Sequence, residues 1–120
     1  MGDISKNLSR YEFACPCECG LDTVDFETAL VIQDVCDHFD CTVTINSGCR
    51  CKKHNAAVGG SKGSKHLVCR AGDCKFHGPT PDQVHEYLTK KYPGKFGFGV
   101  YMTFNHIDTR TDGPARWDKR

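Results

Sequence analysis

The chain of 120 residues has no long apolar run. Stretches such as Ala29 to Ile32 fall far short of the roughly 20 apolar residues that span a bilayer, so no membrane insertion is expected. A charge of one sign is also lacking, since 16 basic and 15 acidic residues are interleaved for a formal net charge of +1. Without a basic stripe no nucleic-acid partner is expected, and without an acidic block no charged interaction tail. The opening MGDISKNLSRYEF has no apolar core after its charges, so it does not read as a secretory signal and folding in a cytoplasm is expected. The helical HExxH signature is absent, which removes the commonest zinc-protease pattern. No CxxC pair occurs either, so no zinc-ribbon pattern is met.

Cysteine, by contrast, is abundant, at nine residues. An odd number without a visible signal argues against a complete disulfide framework. Three readings stay open: reduced thiols packed as small apolar side chains, a second, structural metal held by Cys15, Cys17 and Cys19, or one or more disulfides.

The length fits one domain spanning 1–120, with a cysteine-rich N-terminal segment at 1–20 and a polar tail at 111–120 whose one large apolar residue is Trp117. From Asp22 the spacing of Phe26, Ala29, Leu30, Val35 and Phe39 predicts an amphipathic helix of about four turns with those residues on its packed face. Thr42 to Ile45 reads as a short strand running into a turn at Ser47-Gly48. His54 to Val58 fits one helical turn ended by Gly59-Gly60, and SKGSK fits a polar loop that presents His66. Ala71 to Phe76 fits a strand with Asp73 near its middle. Thr80-Pro81-Asp82-Gln83 is a helix start with a capping box, and that helix should run to about Lys91. Phe98, Val100 and Met102 alternate with Gly97, Gly99 and Tyr101, and Phe104, His106 and Asp108 share one face of a following strand. With no repeat and no linker, the expected fold class is α+β, two main helices packed on an antiparallel sheet.

Three segments carry the chemistry: SGCRC (47–51), SKHLVCRAGD (64–73) and NHIDTR (105–110). His66, Asp73 and His106 form a set of two imidazoles and one carboxylate, which on Zn²⁺ leaves a fourth tetrahedral position open, as catalytic sites do. Arg50 could stand beside it. Asp108, two residues beyond His106 on the same strand face, is the candidate general base. Its alternative role is that of a structural carboxylate paired with Arg110. His54 and Asn55 are read as holding their loop.

SGCRCKKHNAAVGGSKGSKHLVCRAGD resembles the SGYRC…HN…VGG…SxHxxGxAxD core of the M15 zinc peptidases, and GFGVYMTFNHIDTR resembles their GxGxYxxFxHIDxR strand pair. EFACPCECG and GPARW are similar to segments of the small phage and prophage members. The resemblance implies a compact α+β peptidase of the M15 and hedgehog type with one catalytic zinc. It further implies hydrolysis of peptide bonds in the stem peptides of bacterial peptidoglycan, as a D-alanyl-D-alanine carboxypeptidase or an endolysin-like endopeptidase. It makes His66, Asp73 and His106 the zinc ligands, gives Arg50 substrate binding and stabilisation of the developing oxyanion, and has Ser64 contact a ligand or the substrate. Asp108 would then take the proton of the attacking water. Cys49 stands where the family often has Tyr, Cys69 where it has Gly, and Cys74 where an aliphatic follows the ligand. Thr103 and Phe104 occupy positions that carry an acid or a histidine in related groups.

The expected partner is peptidoglycan, met by a monomer. Such an enzyme would accumulate in the host bacterial cytoplasm until lysis and then reach the cell wall, or be carried in a phage virion. The competing readings are a zinc-stabilised, non-catalytic wall-binding module of a phage particle, and a small cysteine-rich metal or redox protein.

Overall fold

A computed structural model describes residues 5–13, 25–48, 70–111 and 113–120. In these segments a single 3-10 turn (Arg10–Phe13) precedes α1 (Phe26–Phe39), β1 (Thr42–Ser47), β2 (Ala71–His77), α2 (Pro81–Lys91), β3 (Gly97–Val100), β4 (Asn105–Asp108) and β5 (Ala115–Asp118). The strands form one sheet in the order β1-β2-β4-β3-β5. Neighbours are antiparallel except β3 and β5, which run parallel. The α+β class is as expected, and the sheet is mixed instead of purely antiparallel.

The local signals of α2 work as chemistry dictates. The Thr80 side chain accepts from the Gln83 backbone N–H, and the Gln83 side chain accepts from that of Thr80, with Pro81 in the first turn. Asp25 caps α1 by accepting from the Glu27 N–H. At the other end Asp40 adopts φ 50°, and the Cys41 N–H bonds Cys36 O, a left-handed cap that brings Cys41 back against the last turn.

The packed face of α1 differs from the predicted one. Phe26 is 66% exposed and Leu30 51%, while Thr28, Ala29, Val31, Ile32, Gln33, Val35 and Cys36 are buried. Two polar residues hold inward positions because they arrive with partners. The Thr28 hydroxyl bonds that of Thr109 at 2.6 Å. The Gln33 amide accepts from Ser5 Oγ and the Asn7 N–H and donates to Asn7 and Asp37. A buried amide with its hydrogen bonds made no longer carries the desolvation cost that hydropathy assigns it.

The polar tail takes part in the sheet. Residues 111–120 include β5, and Arg116 docks it. Its guanidinium donates to the carbonyls of Phe96, Tyr92 and Lys95 and stacks over the Phe98 ring at 4.5 Å. Buried Val43, Cys74, Phe76, Phe98 and Ile107 meet α1 and α2 residues in one core, which Leu8 and Phe13 complete. Strand alternation then sends Asp73, His106, Asp108, Gly97, Gly99 and Trp117 to the opposite face.

Of the nine cysteines, Cys36, Cys41 and Cys74 lie in the described segments, and all three are free thiols. Burial pushes the Cys36 thiol up to about 12 and that of Cys74 well above its ordinary value. Cys74 belongs to the core, pointing away from neighbouring Asp73. The other six, with the proposed Cys15–Cys17–Cys19 metal site, lie outside the described residues. So does the helical turn expected at His54 to Val58. Among the described residues no helix is long and apolar enough to cross a membrane.

Candidate metal centre

One row of residues crosses the whole sheet. Ser47 faces Asp73, Asp73 faces His106, His106 faces Gly99, and Gly99 faces Trp117. The bulge between Ile45 and Ser47 shifts the register that puts Ser47 opposite Asp73. Asp73 and His106, 33 residues apart in the chain, meet because β2 and β4 are neighbours: Asp73 Oδ1 lies 2.9 Å from His106 Nδ1. The other ring nitrogen, Nε2, is 2.7 Å from Asp108 Oδ2.

Asp108 is fully buried. The Arg110 guanidinium grips both its oxygens at 2.8 and 2.7 Å, and the Arg110 N–H adds a third bond at 3.2 Å. Gly97, opposite Asp108, makes room for this cluster, since a Cβ there would come within 2.5 Å of the carboxylate. Burial alone would raise the Asp108 carboxyl, but Arg110 and His106 overcome it and hold the group well below the usual carboxylate range. At His106 burial opposes the charged form, and the bonds to Asp108 and Asp73 outweigh it, raising the ring above its ordinary value.

These shifts set the acid–base behaviour of the metal-free protein. Asp108, with its depressed carboxyl, contributes stability above about pH 3.9, and this is lost as pH falls through the folded value. His106 contributes fully below about pH 6.5, and this is lost as pH rises through its raised folded value. In chelated protein the joint contribution of this pair should therefore be fully present between about pH 4 and 6.5. Urea midpoints across this range and above it will check the window, with His106→Gln flattening the alkaline fall. An identical fall in the variant would take His106 out of the account.

The donor set fits a metal ion. Two ligand atoms each 2.0–2.1 Å from a tetrahedral zinc stand about 3.3 Å apart, and the observed 2.9 Å needs only a few tenths of an ångström of adjustment. An imidazole that turns one nitrogen to the metal and donates the other to a buried carboxylate is the usual support for a histidine ligand. Among the described residues no group of three or more histidine, cysteine or acidic side chains is arranged to hold a metal ion by itself. Asp73 and His106 supply two of the predicted set, while His66, Arg50 and Ser64 lie outside the described residues.

The sequence reading gave Trp117 and Gly99 no role here. A Cβ at Gly99 would overlap the indole of Trp117, so the glycine lets that ring lie across β3. The indole comes to 4.9 Å from the His106 ring and 5.6 Å from the Arg110 guanidinium, and its Nε1–H donates to Tyr101 Oη at 3.0 Å. The available signal was glycine on alternate positions of a strand, which marks close approach by something bulky.

A small mixed sheet presenting a carboxylate beside an imidazole, with a buried carboxylate behind the imidazole, is an arrangement suited to metal-dependent hydrolysis. The family profile of peptidase M15 matches residues 6–108, and the chain belongs to that family, which makes it a metallopeptidase. No curated protein and no solved structure matches it.

Proposed function

We propose that this metallopeptidase uses one zinc ion to hydrolyse peptide bonds in the stem peptides of bacterial peptidoglycan, as a D-alanyl-D-alanine carboxypeptidase or an endopeptidase. The observation that carries the reading is the 2.9 Å approach of Asp73 Oδ1 to His106 Nδ1 on adjacent strands, within the span matched by the family.

Asp73 and His106 would hold the metal together with His66, whose part rests on the sequence motif. Zinc, when bound, supplies Lewis-acid polarisation and a nucleophile at neutral pH. With the metal bound, Asp108 would accept from Nε2–H and leave the Nδ1 lone pair for the ion beside Asp73. Arg110 keeps Asp108 ionised and immobile. Both Asp108 oxygens are engaged and the carboxyl is held well below its ordinary range, which favours an orienting role over that of general base. Arg50 is assigned to the developing oxyanion and Ser64 to substrate contact, both from the sequence motif. The chain is taken to act as a monomer on the wall after release from the host cytoplasm, or from a virion.

The test is elemental analysis of protein purified without added metal, beside release of new amino groups from purified peptidoglycan with and without a chelator. One zinc per chain and chelator-sensitive release are expected. One zinc with tight wall binding but no release would replace this reading by the non-catalytic module. Folded protein that neither holds nor takes up zinc would overturn the metal centre.

A further inference from the structure

We propose that Trp117 is a positioning residue of this site: seated on Gly99 and tied to Tyr101, its indole closes one side of the His106–Asp108–Arg110 relay and fixes the imidazole with Nδ1 toward Asp73. The proposal rests on the reading of Asp73 and His106 as metal donors, but its geometry stands on the protein alone.

An imidazole on a strand turns about a broad, roughly two-fold torsion, so its hydrogen bonds must choose the orientation. Asp73 and Asp108 supply those bonds at 2.9 and 2.7 Å. In water such bonds exchange with solvent, whereas behind an apolar wall they are stronger and more directional. Trp117 is placed to be that wall. It reaches the His106 ring at 4.9 Å and the Arg110 guanidinium at 5.6 Å, and thus touches the two ends of a relay whose middle is fully buried Asp108.

The placement is built at several levels. The parallel register of β5 puts Trp117 opposite Gly99, and the antiparallel register of β4 puts His106 on that glycine's other side. A side chain at 99 would evict the indole. The Nε1–H bond to Tyr101 Oη stops the ring from swinging outward, and Tyr101 is itself stacked on Phe104 at 4.3 Å. The rest of β5 is Ala115, Arg116 and Asp118, so Trp117 is the one large apolar residue of an edge strand, and it faces the relay. Core packing does not account for it, because Trp117 lies on the sheet face opposite α1 and α2.

The experiment uses the full chain and two readouts. The first is solvent exchange of the His106 ring N–H by NMR in metal-free protein. The second is zinc affinity by competition with a chromophoric chelator, supplemented in the wild type by fluorescence of Trp117, the chain's single tryptophan. Trp117→Leu should exchange the ring N–H about tenfold faster or more and bind zinc about 10- to 100-fold more weakly, the range for losing a group that supports a metal ligand. Tyr101→Phe, which frees the indole Nε1, should shift both readouts in the same direction by less. A folded Trp117→Leu protein with wild-type exchange overturns the proposal. Should that variant not fold, wild-type exchange in Tyr101→Phe overturns it equally. If the wild type binds no zinc, the metal reading fails while the exchange measurement alone still decides the role of Trp117.

Discussion

Replacing Asp73 by alanine should remove metal and activity together while leaving the fold in place. Asp73 sits third in β2, on the sheet face opposite the core, and its backbone pairing to β1 and β4 does not depend on its side chain. The substitution takes away the carboxylate beside His106 Nδ1, and Asp108 still holds that ring from the other side. What disappears is the only carboxylate of the proposed ligand set. Two imidazoles alone hold zinc poorly, and the several kcal/mol of transition-state stabilisation that a bound metal supplies corresponds to about a thousand-fold or more in rate. The expected result is metal at background by elemental analysis, amine release from peptidoglycan below detection, and a far-UV spectrum and urea midpoint close to those of chelated wild type. Near-normal turnover in folded, metal-free Asp73→Ala would remove Asp73 from the catalytic centre.

What could be read ahead in the chain was whatever local chemistry decides. The start of α2 was legible because Thr80, Pro81 and Gln83 satisfy backbone groups within one turn, with no help from elsewhere. β2 and β4 were legible from alternation, which also put His106 and Asp108 on one face and Cys74 on the other. The face of α1 was not, because Thr28 and Gln33 turn inward only where Thr109, Ser5 and Asn7 arrive to bond them. β5 was hidden for a similar reason. An edge strand with one apolar residue looks like a tail until Arg116 is seen to cap three carbonyls of the preceding connection. The meeting of Asp73 and His106 is a consequence of strand order, which spacing does not encode. It could be anticipated only through resemblance of the motifs to a family, and the family match over 6–108 supports that route. Trp117 escaped both kinds of reading, since its place depends on a parallel register and on the missing side chain of Gly99.

Asp108→Asn separates the two roles that the sequence left open for that carboxylate. As a base, Asp108 would be needed for turnover but not for metal, so the variant would keep its zinc and lose activity. As the group that orients His106, it is needed for both. Asparagine keeps the shape and removes the charge, and its NH2 replaces one of the two oxygens to which the Arg110 guanidinium and His106 Nε2–H now donate. One partner of a buried ion pair is then left uncompensated, a change that costs on the order of 3 kcal/mol. Where that NH2 faces Nε2, the imidazole takes the other tautomer and puts its N–H where the metal should be. The expected result is a clear fall in urea midpoint, zinc affinity weaker by about 10- to 100-fold, and turnover that recovers in part when zinc is raised to saturation. Wild-type zinc affinity with turnover that saturating metal does not restore would return Asp108 to the role of base. Metal affinity and rescue therefore have to be measured on the same preparation, because the two assignments predict the same loss of activity at trace metal.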